Sequence, residues 1–234
     1  MKLGLLTTDR IRKELVGEFG EYPDMFSRLL HEADPSLELI NYYVLEGEYP
    51  EDIDEVDAYL ITGSSHSVYE ALAWIQLLGE FIKRLHERKK KMVGICFGHQ
   101  LVAHVLGGET AKAEVGWNIG TEPHQLNQAG EQLLGKHDGF QLLFSHQDQI
   151  VEPAEGSVLL ASTPSCPIAM CSIGEHLLTI QGHPEFEKPY LRELMDMRRK
   201  KFGEELYQAG VASLDQDNDR ALVARWIIEF IQKG

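Results

Sequence analysis

Three residues of this chain have the types and surroundings that nucleophilic acyl chemistry needs: Cys96, His183 and Glu185. Cys96 lies in Gly94-Ile-Cys-Phe-Gly98, behind apolar Met92 and Val93, which with Ile95 read as a short buried strand, while residues 100–106 carry helical spacing. The cysteine therefore falls at a strand-to-helix turn. Its glycine neighbours fit a nucleophile elbow, a strained turn that pushes the reactive side chain into the open. The N-terminus of the following helix offers unpaired N–H groups and a partial positive charge, which favour a thiolate. His183 and Glu185 belong to Gly182-His-Pro-Glu185, at the end of a second apolar run. Pro184 disfavours a helical His183, and residues two apart in extended chain point to the same side, so the carboxylate can orient the imidazole. Nucleophile, base and orienting group are then all present. A plain buried thiol is the alternative for Cys96, and the second motif weighs against it.

The elements that must deliver these residues alternate between strand and helix. Strands are expected at 2–7, 37–45 and 57–62, and a helix at 22–31 with Pro23 in its first turn. Ser67-Val-Tyr-Glu70 fits a capping box, predicting a helix from there to about residue 88. Gly107-Gly108 stops the helix after the elbow, and strand-like segments follow within 109–126, 141–150, 157–161, 168–172 and 177–180. Two helices, about 188–208 and 218–232, close the chain. Residues 14–21, with two glycines and several acids, read as a solvated loop, with a flap over the site as the functional alternative. The basic runs at 88–91 and 198–201 read as solvated helix ends, Trp117 as a packing anchor, and His66 as an incidental loop residue. This order predicts one α/β domain over 1–234, with a C-terminal helical extension from about 188. The expected architecture is a three-layer sandwich around a mixed, largely parallel sheet.

Composition narrows the function classes. A chain of 234 residues suits one large domain with an ample core. The formal charge of −15 argues against nucleic-acid or anionic-membrane partners, which need a positive face. Three cysteines without a basic-then-apolar leader make a disulfide framework unlikely and favour the cytoplasm, and no apolar run approaches the length of a spanning helix. Cys166 and Cys171 lack nearby histidines at metal-ligand spacing. His99 and His104 are five apart and diverge around a helix, so no metal site is expected, and the chemistry calls for no cofactor.

Gly-Ile-Cys-Phe-Gly-His-Gln at 94–100 and Gly-His-Pro-Glu at 182–185 resemble the two signature motifs of the class I (triad) glutamine amidotransferases. Gly116-Trp-Asn-Ile-Gly120 and Ile180-Gln-Gly-His-Pro184 bring the chain nearest to free-standing members related to the GMP synthase glutaminase domain and to plant γ-glutamyl peptidases. The likeness covers roughly residues 1–189. It implies a flavodoxin-like fold and hydrolysis of a γ-glutamyl amide through a thioester on Cys96, with His183 moving protons and Glu185 orienting it. It also implies an oxyanion hole at the end of the third strand, built from backbone N–H groups of Gly63 or Ser64 with that of Phe97. The family often carries Gly-Gly-Pro there, and this chain has Gly63-Ser-Ser. Ser145-His-Gln-Asp148 resembles the family's Ser-His-Gly-Asp at the substrate pocket. Gln100, Ser145, His146 and Gln147 are thus the implied contacts to the glutamyl head, with Gln147 standing where the family has glycine. Three readings stay open: a glutaminase subunit serving a separate synthetase, a free-standing γ-glutamyl hydrolase or peptidase, and a non-catalytic interaction module.

Overall fold

The motif-bearing strands are apolar on both faces, which is how strands buried between two helical layers read. A computed structural model describes residues 1–233, and every count or absence below refers to those described residues. The chain begins with β1 (Lys2–Thr7), α1 (Lys13–Phe19), α2 (Tyr22–Ala33), β2 (Glu38–Tyr43), β3 (Ala58–Ile61) and α3 (Ala73–Glu87). It continues through β4 (Lys91–Ile95), α4 (Phe97–Val105), β5 (Glu109–Lys112), β6 (Asn118–Leu126), α5 (Gln128–Leu134), β7 (Phe140–His146) and β8 (Asp148–Glu152). It ends with β9 (Ser157–Ser162), β10 (Met170–Ile173), β11 (Leu177–Ile180), α6 (Lys188–Phe202), α7 (Glu204–Ser213) and α8 (Arg220–Gln232).

Nine strands form one sheet in the order β2-β1-β3-β4-β11-β10-β9-β6-β7, and β5 pairs with β8 beside it. The run from β2 to β11 is parallel, and from β11 to β7 every pairing is antiparallel. Alternation along the parallel strands sorts their side chains into two cores. Leu3, Leu5, Ala58, Leu60, Val93, Ile95, Leu178 and Ile180 face α2, α6 and α8, where Phe26, Leu29, Leu191 and Ile227 pack against them. Leu6, Tyr59, Ile61, Met92 and Leu177 face α3 and α4, against Leu78, Phe81, Ile82 and Leu101. The result is a three-layer sandwich. Each fully buried Leu, Ile or Phe stabilises it by about 1.5–3 kcal/mol. No helix is long and apolar enough to cross a membrane.

Four local expectations change. Residues 13–19 form α1, not a solvated loop, because Leu15 and Phe19 recur at helical spacing and bury themselves, with Phe19 edge-on to Tyr190 at 5.4 Å. Ser67 does not open a helix. The Ser67 N–H donates to Glu70 Oε1 at 2.6 Å, but the Glu70 N–H is taken by the Ser67 carbonyl, so the pair closes a turn and α3 starts at Ala73. The helix expected over 188–208 breaks at Gly203, whose φ of 81° lies outside the helical region and separates α6 from α7. The segment 141–150 is two strands, β7 and β8, turning at Gln147.

Candidate active site

The strand order β3-β4-β11 places three chain segments side by side at the carboxyl edge of the parallel sheet, where open α/β sheets hold their ligands. Strand β4 delivers Cys96, β3 delivers Gly63 and Ser64, and β11 delivers Gln181, His183 and Glu185. The register fixes their depth. Ile95 pairs with Ile180, and the Cys96 N–H donates to the Ile180 carbonyl at 2.8 Å.

Cys96 has φ 50° and ψ −98°, a left-handed conformation that non-glycine residues avoid at a cost of about 1–3 kcal/mol. Two close approaches hold it there. A Cβ on Gly94 would lie 2.7 Å from the backbone of Gly98, and one on Gly98 would lie 2.7 Å from the Ile61 carbonyl oxygen. Glycine at both positions lets α4 start directly against β3 and β4, so the thiol sits at the first turn of that helix. It lines a cleft of about 560 Å³ and is 5% exposed. The Phe97 N–H is the first of α4 and has no partner within the helix.

His183 is clamped from several sides. Its Nδ1–H donates to Glu185 Oε1 at 2.8 Å, its ring stacks flat on Phe186 at 3.9 Å, and its backbone N–H donates to the Leu143 carbonyl at 2.9 Å. Burial alone would push the imidazole down. The adjacent Cys96 sulfur and the Glu185 carboxylate outweigh burial and hold His183 well above its ordinary value, in the charged form that a thiolate partner favours. Gly63 lies against both groups: a Cβ there would come 2.8 Å from His183 Cε1 and 3.6 Å from Cys96 Cβ. The Gly63–Ser64 turn is pinned to the end of β1, with Thr8 Oγ1 donating to the Gly63 carbonyl at 2.8 Å and Ser64 Oγ to the Thr8 carbonyl at 3.2 Å.

The residues implied as glutamyl-head contacts, Gln100, Ser145, His146 and Gln147, all line the same cleft. Gln100 is already engaged, its Nε2 donating to the Asp148 carbonyl at 2.6 Å and to Gln181 Oε1 at 3.0 Å. His146 donates from Nδ1 to the Asp148 carbonyl at 2.9 Å, and burial pushes it down to about 3, so its ring is neutral. Ser145 Oγ accepts from Arg198 Nη1 at 3.3 Å.

Two features escaped the motifs. Gln181 donates from Nε2 to Cys96 Sγ at 3.5 Å, completing a chain from Asp148 through Gln100 to the thiol. Its signal was a buried polar residue directly after an apolar strand. Arg198 and Lys201 line the cleft, so the 198–201 run is not merely a solvated helix end. Nothing local marks them, because only the docking of α6 turns that face inward. Trp117 packs on Phe202 at 5.2 Å and also lines the cleft, and His66, paired with Glu70 Oε2 at 3.0 Å, lies at its edge. His99 is buried in structural bonds, accepting at Nδ1 from Thr179 Oγ1 at 2.8 Å and donating from Nε2 to the Ile168 carbonyl at 3.0 Å. Cys166 and Cys171 are buried, and burial pushes both thiols up to about 12.

The fold and the paired motifs define a glutaminase-type α/β protein, and the model of the class-I glutamine amidotransferase family matches residues 21–193; the chain belongs to that family. Among its relatives, gamma-glutamyl peptidase 3 of Arabidopsis thaliana is 35% identical over 186 residues, covering 76% of this chain and 74% of that protein. A glutamine-hydrolyzing GMP synthase of Aeropyrum pernix is 30% identical over 78% of this chain but only 35% of its own length. A glutamine amidotransferase of Thermotoga maritima superposes with a TM-score of 0.78 over 99% of both chains at 14% identity, which speaks for the flavodoxin-like fold.

Proposed function

We propose that this protein hydrolyses γ-glutamyl amides through a thioester on Cys96, acting by itself on γ-glutamyl peptides as well as on glutamine. The observation that carries the reading is the junction of Cys96, His183 and Glu185 at the carboxyl edge of the sheet, with Gly63 packed against both Cys96 and His183. The Cys96 thiolate attacks the γ-carbonyl carbon, and the oxyanion is received by the N–H of Phe97 with that of Gly63 or Ser64, each donor contributing about 3 kcal/mol in related chemistries. The His183 imidazolium gives its proton to the departing nitrogen, the C–N bond breaks, and the γ-glutamyl thioester remains. Water then attacks that carbon, losing its proton to His183. The C–S bond breaks, releasing glutamate and restoring the thiolate. Glu185 stays ionised and holds the imidazole at Nδ1. Gln181 contributes a hydrogen bond to the sulfur.

The peptidase emphasis is supported by the relatives, since the γ-glutamyl peptidase match extends over most of both chains while the GMP synthase match is confined to about a third of that enzyme. The GMP synthase likeness favours a second reading, in which a separate synthetase subunit takes the ammonia. We take residues 1–234 as one domain, supported by the continuous nine-stranded sheet, and a cytoplasmic location, supported by three unpaired cysteines. The deciding measurement is kcat/KM of the isolated protein for glutamine and for γ-glutamyl dipeptides. Turnover of the dipeptides is expected. Glutaminase activity that appears only with an added synthetase, and none on any peptide, would refute the reading.

A further inference from the structure

The cleft around Cys96 reverses the charge of the molecule. In a chain of formal charge −15, its lining brings together Arg10, Arg12, Lys112, Arg198 and Lys201 against two carboxylates, Asp9 and Asp148. Some of these cations are occupied: Arg10 pairs with Glu46 and lies over the Tyr43 ring at 3.4 Å, and Lys201 lies over Trp117 at 4.5 Å. Asp9 is committed to backbone donors, accepting from Ser65 at 2.7 Å and Arg10 at 2.8 Å. Arg198 is the half-buried member of the set and, like Arg12, has no carboxylate within ion-pair distance among the described residues. Its one hydrogen bond to the protein is the contact with Ser145 Oγ, although a guanidinium carries five N–H donors. Burial first, and then Arg12, hold Arg198 below its ordinary value, against smaller opposing pulls from Tyr22, Tyr190 and Asp9.

We infer that Arg198, with Arg12 beside it, is a carboxylate-binding subsite that reads the leaving group, so that the preferred substrate is a γ-glutamyl peptide whose departing amine belongs to an amino acid or peptide with a free carboxylate. This rests on the hydrolysis proposed above. The charge balance decides between the two ends of the substrate. A glutamyl head carries its own ammonium against its own carboxylate and brings no net charge to a cleft already rich in cations. Ammonia as a leaving group has no carboxylate to offer. A γ-glutamyl peptide brings at least one more anion, and the planar arginine fork matches a carboxylate in bidentate fashion.

The test compares γ-glutamylalanine with γ-glutamylalanine amide, which differ only in the leaving-group carboxylate. The wild-type protein should prefer the acid in kcat/KM by about tenfold to a hundredfold, the range of a hydrogen-bonded charge pair. Arg198→Gln should bring the acid-to-amide ratio close to one, and Arg12→Gln should lower it part of the way. Arg198→Lys, which keeps the charge without the fork, should restore part of the preference. The wild-type ratio needs no variant, so a misfolded substitution does not shelter the inference. Equal turnover of acid and amide by the wild type would overturn the subsite and leave the hydrolase reading standing. A preference that Arg198→Gln leaves intact, by lowering both substrates equally, would assign Arg198 to the glutamyl head and overturn it too. No turnover of any γ-glutamyl compound would end the hydrolase reading and the subsite with it.

Discussion

Replacing Gly63 with alanine should cripple turnover without unfolding the protein. The added Cβ would stand 2.8 Å from His183 Cε1 and 3.6 Å from Cys96 Cβ. A relaxed carbon–carbon contact needs about 3.5 Å, so the imidazole must retreat by roughly 0.7 Å. It has little room, being stacked on Phe186 at 3.9 Å, bonded to Glu185 at 2.8 Å and tied through its backbone to Leu143 at 2.9 Å. Either the ring tilts away from the sulfur or the end of β3 moves outward, taking the Gly63 and Ser64 N–H groups with it. A displacement near 1 Å in a reacting group costs about a hundredfold in rate, or about 2.7 kcal/mol of barrier. Gly63 is not among the residues of positive φ, so alanine adds no backbone strain there and the effect is steric. The assay is kcat on a γ-glutamyl dipeptide, with a thermal melt to establish folding. A fall of about a hundredfold with KM changed only a few-fold is expected. Wild-type kcat in a folded variant would refute the claim that close packing at Gly63 sets the triad.

Other outcomes follow from the same geometry. Glu185→Gln removes the ionised partner of His183 Nδ1 and should lower kcat by roughly a thousandfold or more with KM little changed; an unaltered kcat would remove Glu185 from the mechanism. A glutamine-derived chloroketone should label Cys96 alone at neutral pH, since burial pushes Cys166 and Cys171 up to about 12, and mass spectrometry placing the adduct on either would contradict this. Burial pushes His99 and His124 down to about 4 and His146 to about 3, so the folded protein keeps them neutral where the unfolded chain takes up protons. Their contribution is complete above pH 6.5 and is lost as pH falls from there toward 4. Urea denaturation should therefore show stability dropping by roughly 3 kcal/mol between pH 7 and pH 5.5, and a flat profile would argue against neutral buried histidines.

Much of the site was legible before the fold. The catalytic candidates and their local settings follow from short-range rules. An apolar strand running into a glycine-flanked cysteine makes an elbow, and a histidine held extended by Pro184 points to the same side as the glutamate two residues on. The mostly apolar runs at 57–62, 92–95 and 177–180 likewise marked short strands. Residues 13–19 are helical where a loop is expected over 14–21, because burial of Leu15 and Phe19, one helical turn apart, outweighs the glycines and acids around them.

What the sequence determined by itself was therefore the candidate groups and the local shape of each segment: thiol, imidazole and carboxylate, each just after a buried strand. Strand order lay beyond it, because nothing in the local pattern says which apolar strand pairs with which. Only the tertiary structure set β4 between β3 and β11, bringing Gln181 to a cysteine 85 residues earlier and Gly63 against both Cys96 and His183. The same holds for Arg198. A basic run on a helix is solvated or functional according to which face is packed inward, and that is settled by the contacts of α6 with the rest of the molecule, not by its own sequence.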